Sequence, residues 1–233
     1  MKEILIKGYE PSSYNEWAGK ITAIIFTGGC NFRCHFCHNK DMVIGWKDIP
    51  DIKFSEVMEQ LNKRKKWIDA VQITGGEPSL HKADVIEMLN QLKSEGFLTK
   101  VDTNGFDPDF ITELNELQLV DYWAMDIKAS LDMYKKATDV DVKPETIRKS
   151  IKLIMESGLE YEFRTTVVPG LHDKFQIFKL VQEIKGAKKY FIQNFVPQNT
   201  INPEYMKIQP FTDKQLEGMA IQARQFIDNV QIR

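Results

Sequence analysis

Cysteine is nearly absent from this chain: three of 233 residues, all between Cys30 and Cys37. An odd number crowded into one loop makes a poor disulfide framework, which excludes a bridge-stapled secreted scaffold. An excess of one charge sign is missing too. Lys and Arg number 31 against 33 Asp and Glu, a formal net charge of -2, so a nucleic-acid binder's basic footprint is lacking. No long apolar run exists, since stretches such as Ala23 to Phe26 are far too short to span a bilayer. Met1 to Tyr14 is polar and lacks the apolar core and cleavage site of a secretory signal. Low-complexity tracts and sequence repeats are absent as well. The expected compartment is the reducing cytoplasm.

What is present suffices for a large core, with 42% apolar and 27% charged residues. Ile21 to Phe26 reads as a strand buried on both faces. Phe54, Val57, Met58 and Leu61 recur at helical spacing over Phe54 to Lys66. Further strands are expected at Ala70–Thr74, Leu98–Thr103, Tyr122–Ile127, Tyr161–Val168 and Tyr190–Val196. Helices are expected between them, two stopping at Gly96 and Gly158, the residue type that best accepts a left-handed cap. The core stripe of the fifth helix is read as Phe178, Val181 and Ile184. The stretch to Pro210 reads as irregular, and a last helix begins near Thr212, a plausible N-cap. Strand-helix alternation of this kind argues for an α/β fold, a parallel sheet curled into a barrel or an open part of one.

The unusual residues fall at the carboxyl ends of the expected strands: the cysteines, Gly75-Gly-Glu-Pro78, Asp102 to Gly105, Asp126 with Lys128, Pro169-Gly170, and Gln193-Asn194. That end of a parallel barrel houses chemistry. Gly75 and Gly76 serve a tight turn or bare backbone groups to a ligand, and Glu77 offers a carboxylate to an ammonium. Asp102 and Asn104 cap a helix or line the site. Arg164, inside a strand, either binds a ligand carboxylate or pairs with a neighbouring acid. His81 and His172 sit in expected loops and read as solvated.

Cys30, Cys34 and Cys37 form C-x-x-x-C-x-x-C, one loop able to wrap three thiolates around a single metal centre. Structural thiolate sites usually close with four protein ligands, so three leave a position open. In an iron-sulfur cluster, the open position is an iron that can take a cofactor. Two other classes compete. One is a zinc-binding interaction module closed by His35, His38 being awkwardly adjacent to Cys37. The other is a barrel aldolase using Lys128 in a Schiff base.

The three cysteines, with Phe36 before the last, followed by Gly75-Gly-Glu-Pro78, resemble the radical S-adenosylmethionine superfamily. Cys37-His-Asn39, Asp102-Thr-Asn-Gly105, Asp126-Ile-Lys128 and Arg164-Thr-Thr-Val-Val-Pro-Gly170 look like the activating enzymes of glycyl radical enzymes. The pattern is nearest to the long form of the anaerobic ribonucleoside-triphosphate reductase activating family. The resemblance implies one radical-type domain over 1–233, a partial parallel (β/α)6 barrel with its core at about 19–197 and a C-terminal extension with a helix over 198–233. It implies a four-iron four-sulfur cluster on the three cysteines and S-adenosylmethionine as cofactor. Phe36 would lie near the adenine. Gly75, Gly76 and Glu77 would meet the methionyl amino group, Thr103 and Asn104 the same pocket, Asp126 the ribose and Lys128 the carboxylate, with Arg164 also at the site.

A monovalent cation by Asp102 and Asp126 is expected by analogy with pyruvate formate-lyase activation. The implied partners are a glycyl radical enzyme, foremost anaerobic ribonucleotide reductase, and a low-potential donor such as flavodoxin or ferredoxin. Two departures stand out. No cysteine remains for further clusters, and Asn194-Phe-Val-Pro197 stands where the pyruvate formate-lyase relative has a histidine. Gly45 to Asp51 and Asn199 to Pro210 are candidate mobile rim segments.

Overall fold

Buried strands alternate with helices that each show one apolar stripe, and a computed structural model describes residues 3–233. The chain divides into two compact units, one of residues 1–31, 41–103 and 109–123, the other of residues 32–40, 104–108 and 124–233.

The first unit holds β1 (Leu5–Ile6), β2 (Gly8–Ser13), β3 (Thr22–Thr27), β4 (Ile52–Lys53), β5 (Ala70–Gly75) and β6 (Leu98–Thr103). β3, β5 and β6 are parallel neighbours, β2 lies antiparallel on β3, and β1 and β4 form a separate antiparallel pair. Covering helices are α2 (Phe54–Lys63), α3 (Lys82–Ser94) and α4 (Pro108–Glu116), preceded by the single-turn α1 (Lys40–Val43). In α2, Phe54, Val57, Met58 and Leu61 are buried at the spacing of one helical face. It ends at Lys63 rather than Lys66, leaving Arg64, Lys65 and Lys66 outside the helix. Gly96 closes α3 with φ +81°, as its position implied.

β7 (Tyr122–Asp126) runs from the first unit into the second. The second unit continues with α5 (Tyr134–Thr138), α6 (Pro144–Met155), β8 (Glu160–Val167), α7 (Lys174–Glu183), β9 (Tyr190–Asn194), α8 (Asp213–Ala223) and β10 (Val230–Ile232). Its strand order is β7-β8-β9-β10, with β8, β9 and β10 parallel. The fold is therefore α/β with a mostly parallel sheet.

Three further details differ from expectation. The core stripe of α7 is Ile177, Leu180, Val181 and Ile184, while Phe178 is half-buried and meets Phe226 edge to face at 5.5 Å. The stretch before Pro210 carries a short 3-10 helix, Pro203–Lys207. The C-terminal segment adds β10 as well as α8, whose N-cap Thr212 N–H is held by Gln215 Oε1 at 2.9 Å.

Candidate functional site

Strand β7 delivers Asp126 as its last residue, and two residues on comes Lys128. Lys128 Nζ donates to Asp126 Oδ2 at 2.8 Å, while Arg164 Nε of β8 donates to Oδ1 at 2.8 Å. Of the two roles open to Arg164, the structure takes pairing with an acid, and Glu162 lies 3.8 Å further on. Burial opposes the charge on Asp126, yet the Arg164 and Lys128 cations hold its carboxyl far below the usual carboxylate range. Burial likewise opposes the Lys128 charge, and the Asp126 carboxylate with the Cys34 and Cys37 sulfurs holds the ammonium far above the ordinary lysine range. Schiff-base chemistry needs a neutral amine, so this setting works against an aldolase.

With Glu162 beside Arg164, the cation of this group left to face a ligand is Lys128. It is also reachable, since 22% of the Lys128 side chain and 29% of that of Asp126 are exposed. An anionic group therefore finds both charge and access here.

Cys34, Phe36 and Cys37 belong to the same unit, Cys34 and Phe36 buried and Cys37 half-buried. Burial pushes the Cys37 thiol up, and an Asn39 backbone hydrogen bond and Lys128 pull it back. The loop is folded on itself by Cys37 N–H to Cys34 O at 2.9 Å, and it is strapped from outside. Ile201 N–H donates to Cys37 O at 3.1 Å and Asn202 N–H to His35 O at 3.0 Å. The expected mobile rim at Asn199 is thus tied down where it crosses the cysteines, with Thr200 buried. In the other expected rim segment, Lys7 donates to Ile49 O at 2.8 Å and pairs with Asp51 at 2.7 Å.

His35 Nε2 faces Asp139 Oδ2 at 3.4 Å. Among the described residues, no three His, Cys, Asp or Glu side chains gather at the spacing of a single-ion site. A cluster asks for a different arrangement, because each thiolate binds its own iron. None of the three cysteines is in a disulfide. Cys30, half-buried, belongs to the first unit, with Sγ 3.8 Å from Asn31 Oδ1.

The first unit also holds the Gly75 to Pro78 turn, and its glycines answer to space before any ligand. A Cβ on Gly75 would stand 2.2 Å from Thr27 O, and one on Gly76 1.6 Å from Gly29 O. Of the two readings of the turn, the tight turn accounts for two backbone donors: Gly76 N–H goes to Thr27 O at 3.0 Å and Glu77 N–H to Gly29 O at 2.8 Å. Glu77, 1% exposed, caps a second 3-10 helix, Pro78–His81, through Ser79 N–H at 3.2 Å and accepts from Thr103 Oγ1 at 2.9 Å. Asp102 accepts from Gln72 Nε2 at 2.8 Å and from Thr74 Oγ1 at 3.2 Å. In the second unit Asn104 is buried and its Oδ1 accepts from Phe106 N–H at 3.0 Å, an Asx turn.

Both histidines expected to be solvated are engaged. His81 is half-buried with Nε2 2.6 Å from Gly28 O. His172 is 3% exposed, Nδ1 accepting from Val168 N–H at 3.0 Å and Nε2 lying 3.0 Å from Lys128 O. Sequence reasoning missed His172, and it missed Tyr134, whose hydroxyl accepts from Lys128 N–H at 3.2 Å. Neither position carries a sequence signal beyond residue type. At the end of β9, Asn194 Nδ2 donates to Phe211 O at 2.8 Å, leaving buried Oδ1 without a donor.

The radical SAM superfamily model matches residues 24–180. This chain belongs to the radical SAM superfamily. A Methanocaldococcus jannaschii protein named as a glycyl-radical enzyme activating enzyme is 34% identical over 233 residues, covering 98% of this chain and 95% of that protein. The pyruvate formate-lyase-activating enzyme of Clostridium pasteurianum is 29% identical over 189 residues, covering 78% and 76%. The crystal structure of a domain of pyruvate-formate lyase-activating enzyme from Bacteroides vulgatus shares the fold, with TM-score 0.58, 18% identity, 70% of this chain and 98% of that one covered.

The radical SAM enzyme described here thus falls among the activating enzymes of glycyl radical enzymes, and its family works with a four-iron four-sulfur cluster and S-adenosylmethionine. Activating enzymes act on a glycyl radical enzyme as partner. The residues fit such cofactors. Thiols stand beside a fixed ammonium, the reachable Lys128 cation suits a carboxylate, and buried Asn194 Oδ1 at the end of β9 awaits a donor. Among the described residues no helix is long and apolar enough to cross a membrane.

Proposed function

We propose that this enzyme installs the glycyl radical of an anaerobic ribonucleotide reductase, working in the cytoplasm as a single domain with flavodoxin or ferredoxin as electron donor. The observation that carries the cofactor side of this reading is the Lys128–Asp126–Arg164 trio beside Cys34 and Cys37. Cys30, Cys34 and Cys37 hold the cluster. Lys128 receives the carboxylate of S-adenosylmethionine, Asp126 approaches the ribose, and Arg164 keeps Asp126 ionised and in place. Phe36 packs by the adenine, and Gly75, Gly76, Glu77, Thr103 and Asn104 border the methionyl end.

The chemistry supplied by a reduced cluster with bound S-adenosylmethionine is reductive cleavage to a 5′-deoxyadenosyl radical, which takes a hydrogen atom from a glycine of the partner. The protein binds, orients and excludes water, and no protein base is needed.

The reductase is favoured as partner by the sequence pattern. Activation of pyruvate formate-lyase is the second reading, favoured by the Clostridium pasteurianum relative. Anaerobic reconstitution, followed by iron, sulfide and 5′-deoxyadenosine assays, tests the chemistry. A Cys34→Ala variant that still cleaves the cofactor would refute it. For the partner, electron paramagnetic resonance after mixing with each candidate enzyme should show a glycyl signal with the reductase. A signal with pyruvate formate-lyase alone selects the second reading.

A further inference from the structure

The β7 ladder ends at Asp126, and Ile127 is the last residue whose backbone is served by β8: its N–H donates to Arg164 O at 2.8 Å and its carbonyl accepts from Thr165 Oγ1 at 2.8 Å. At Lys128 the sheet runs out. Its N–H and C=O would go unpaired in a half-buried turn, and both are taken by side chains instead, Tyr134 Oη on one side and His172 Nε2 on the other.

The tautomer of His172 follows from its neighbours. Val168 N–H can only donate, so Nδ1 is the acceptor and the ring proton sits on Nε2, aimed at the Lys128 carbonyl 3.0 Å away. The turn after β8 brings the ring back: Gly170 takes φ +85°, and Leu171 and His172 N–H both donate to Val168 O, at 3.1 and 2.9 Å. With Val168 at 0% and Leu171 at 4% exposure, the ring has a packed bed. Lys128 is thereby fixed at both ends of a flexible four-carbon stem, by His172 and Tyr134 at the backbone and by Asp126 at the ammonium.

We propose that His172 is a positioning residue for Lys128, and that through it the enzyme presets the ammonium that receives the carboxylate of S-adenosylmethionine. This rests on the reading in which Lys128 meets that carboxylate. A preset cation loses little freedom on binding, so its worth shows in affinity for the carboxylate-bearing ligand alone.

Equilibrium dialysis of the anaerobically reconstituted holoenzyme tests this, with S-adenosylmethionine and its decarboxylated analogue as the two probes. One hydrogen bond's worth of positioning predicts that His172→Ala weakens S-adenosylmethionine by about tenfold and the analogue by under about twofold. His172→Gln, whose amide can donate to the same carbonyl, should recover most of the loss. On a Lys128→Met background, His172→Ala should change nothing further.

Equal weakening of both probes would assign His172 a merely structural role and overturn the inference, as would no change. If His172→Ala fails to fold, Tyr134→Phe removes the acceptor on the other side of the same residue and must show the same preference between probes, or the inference falls. A Lys128→Met enzyme that binds S-adenosylmethionine normally sinks the parent reading. Weakening by Lys128→Met with no effect of His172→Ala sinks this inference and leaves the parent standing.

Discussion

Replacing Gly76 by alanine should damage the enzyme through space alone. A Cβ there would lie 1.6 Å from Gly29 O and 2.4 Å from Gly29 C, and both are backbone atoms with no side-chain slack to yield. Reaching ordinary contact means driving the two segments apart by on the order of 1.5 Å. That separation breaks the Glu77 N–H to Gly29 O bond of 2.8 Å and strains the Gly76 N–H to Thr27 O bond of 3.0 Å. One broken and one weakened backbone bond, with the group left stranded, amount to about 2–4 kcal/mol, or roughly 5–15 °C in Tm for a chain of this size.

Gly29 immediately precedes Cys30, so iron per chain after reconstitution should fall as well. Gly96→Ala is the control. Its φ of +81° costs about 1–2 kcal/mol, but its Cβ would meet nothing within 4 Å, and iron content should hold. Thermal unfolding of the apoprotein with an iron assay decides the matter. A Gly76→Ala protein that melts with the wild type and loads full iron would refute the steric account.

Asp126→Asn should cost about 2–4 kcal/mol at pH 7, because two cations lose their shared carboxylate. The depressed carboxyl contributes stability above the unfolded carboxylate pKa of about 4 and loses it as pH falls toward the folded value. The raised ammonium contributes below about pH 10 and loses it as pH rises through its folded value. Urea unfolding should therefore show a constant gap between wild type and variant from about pH 5 to 9, narrowing below about pH 4. A gap that changes near neutral pH would place the pair elsewhere. Thr103→Val should destabilise by about 1–3 kcal/mol and Thr103→Ser by much less, since Glu77 is 1% exposed and loses a 2.9 Å donor; equal Tm values for the two would contradict this. Asp173→Ala, which removes the 2.8 Å cap on Gln176 N–H, should cost about 1 kcal/mol by the same melts.

The strands that were legible are those whose interiors announce themselves. β3 reads as Thr-Ala-Ile-Ile-Phe-Thr with almost every residue buried, and β6 was placed at its exact bounds because Gly96 and Asn104 punctuate it. β2 escaped notice. As an antiparallel edge strand it carries Pro11 and polar residues, half-buried or exposed throughout, and has neither alternation nor an apolar run. β10 is three residues with two exposed, too short for any periodicity.

At the site, residue types told that Asp126, Lys128 and Arg164 needed a reason. Which acid Arg164 would meet depended on how β7 lies beside β8, which no local pattern encodes. His172 was misjudged because loop residues are solvated by default, and only the turn at Gly170 brings it inward. At the glycine turn both readings stay open in the sequence, because the close approach of Thr27 and Gly29 that forbids a side chain there comes from a neighbouring segment.

The strap from Ile201 and Asn202 has a bearing on the cysteine motif. The carbonyls of the loop that carries Cys34 and Cys37 are held by peptide groups some 160 residues further along the chain. Closing so long a loop is an entropic cost met only by the finished tertiary structure. Cut before Ile201, the chain would present the Cys34 and Cys37 thiols on a slack tether, so the spacing of those thiols is a property of the folded whole and not of the motif.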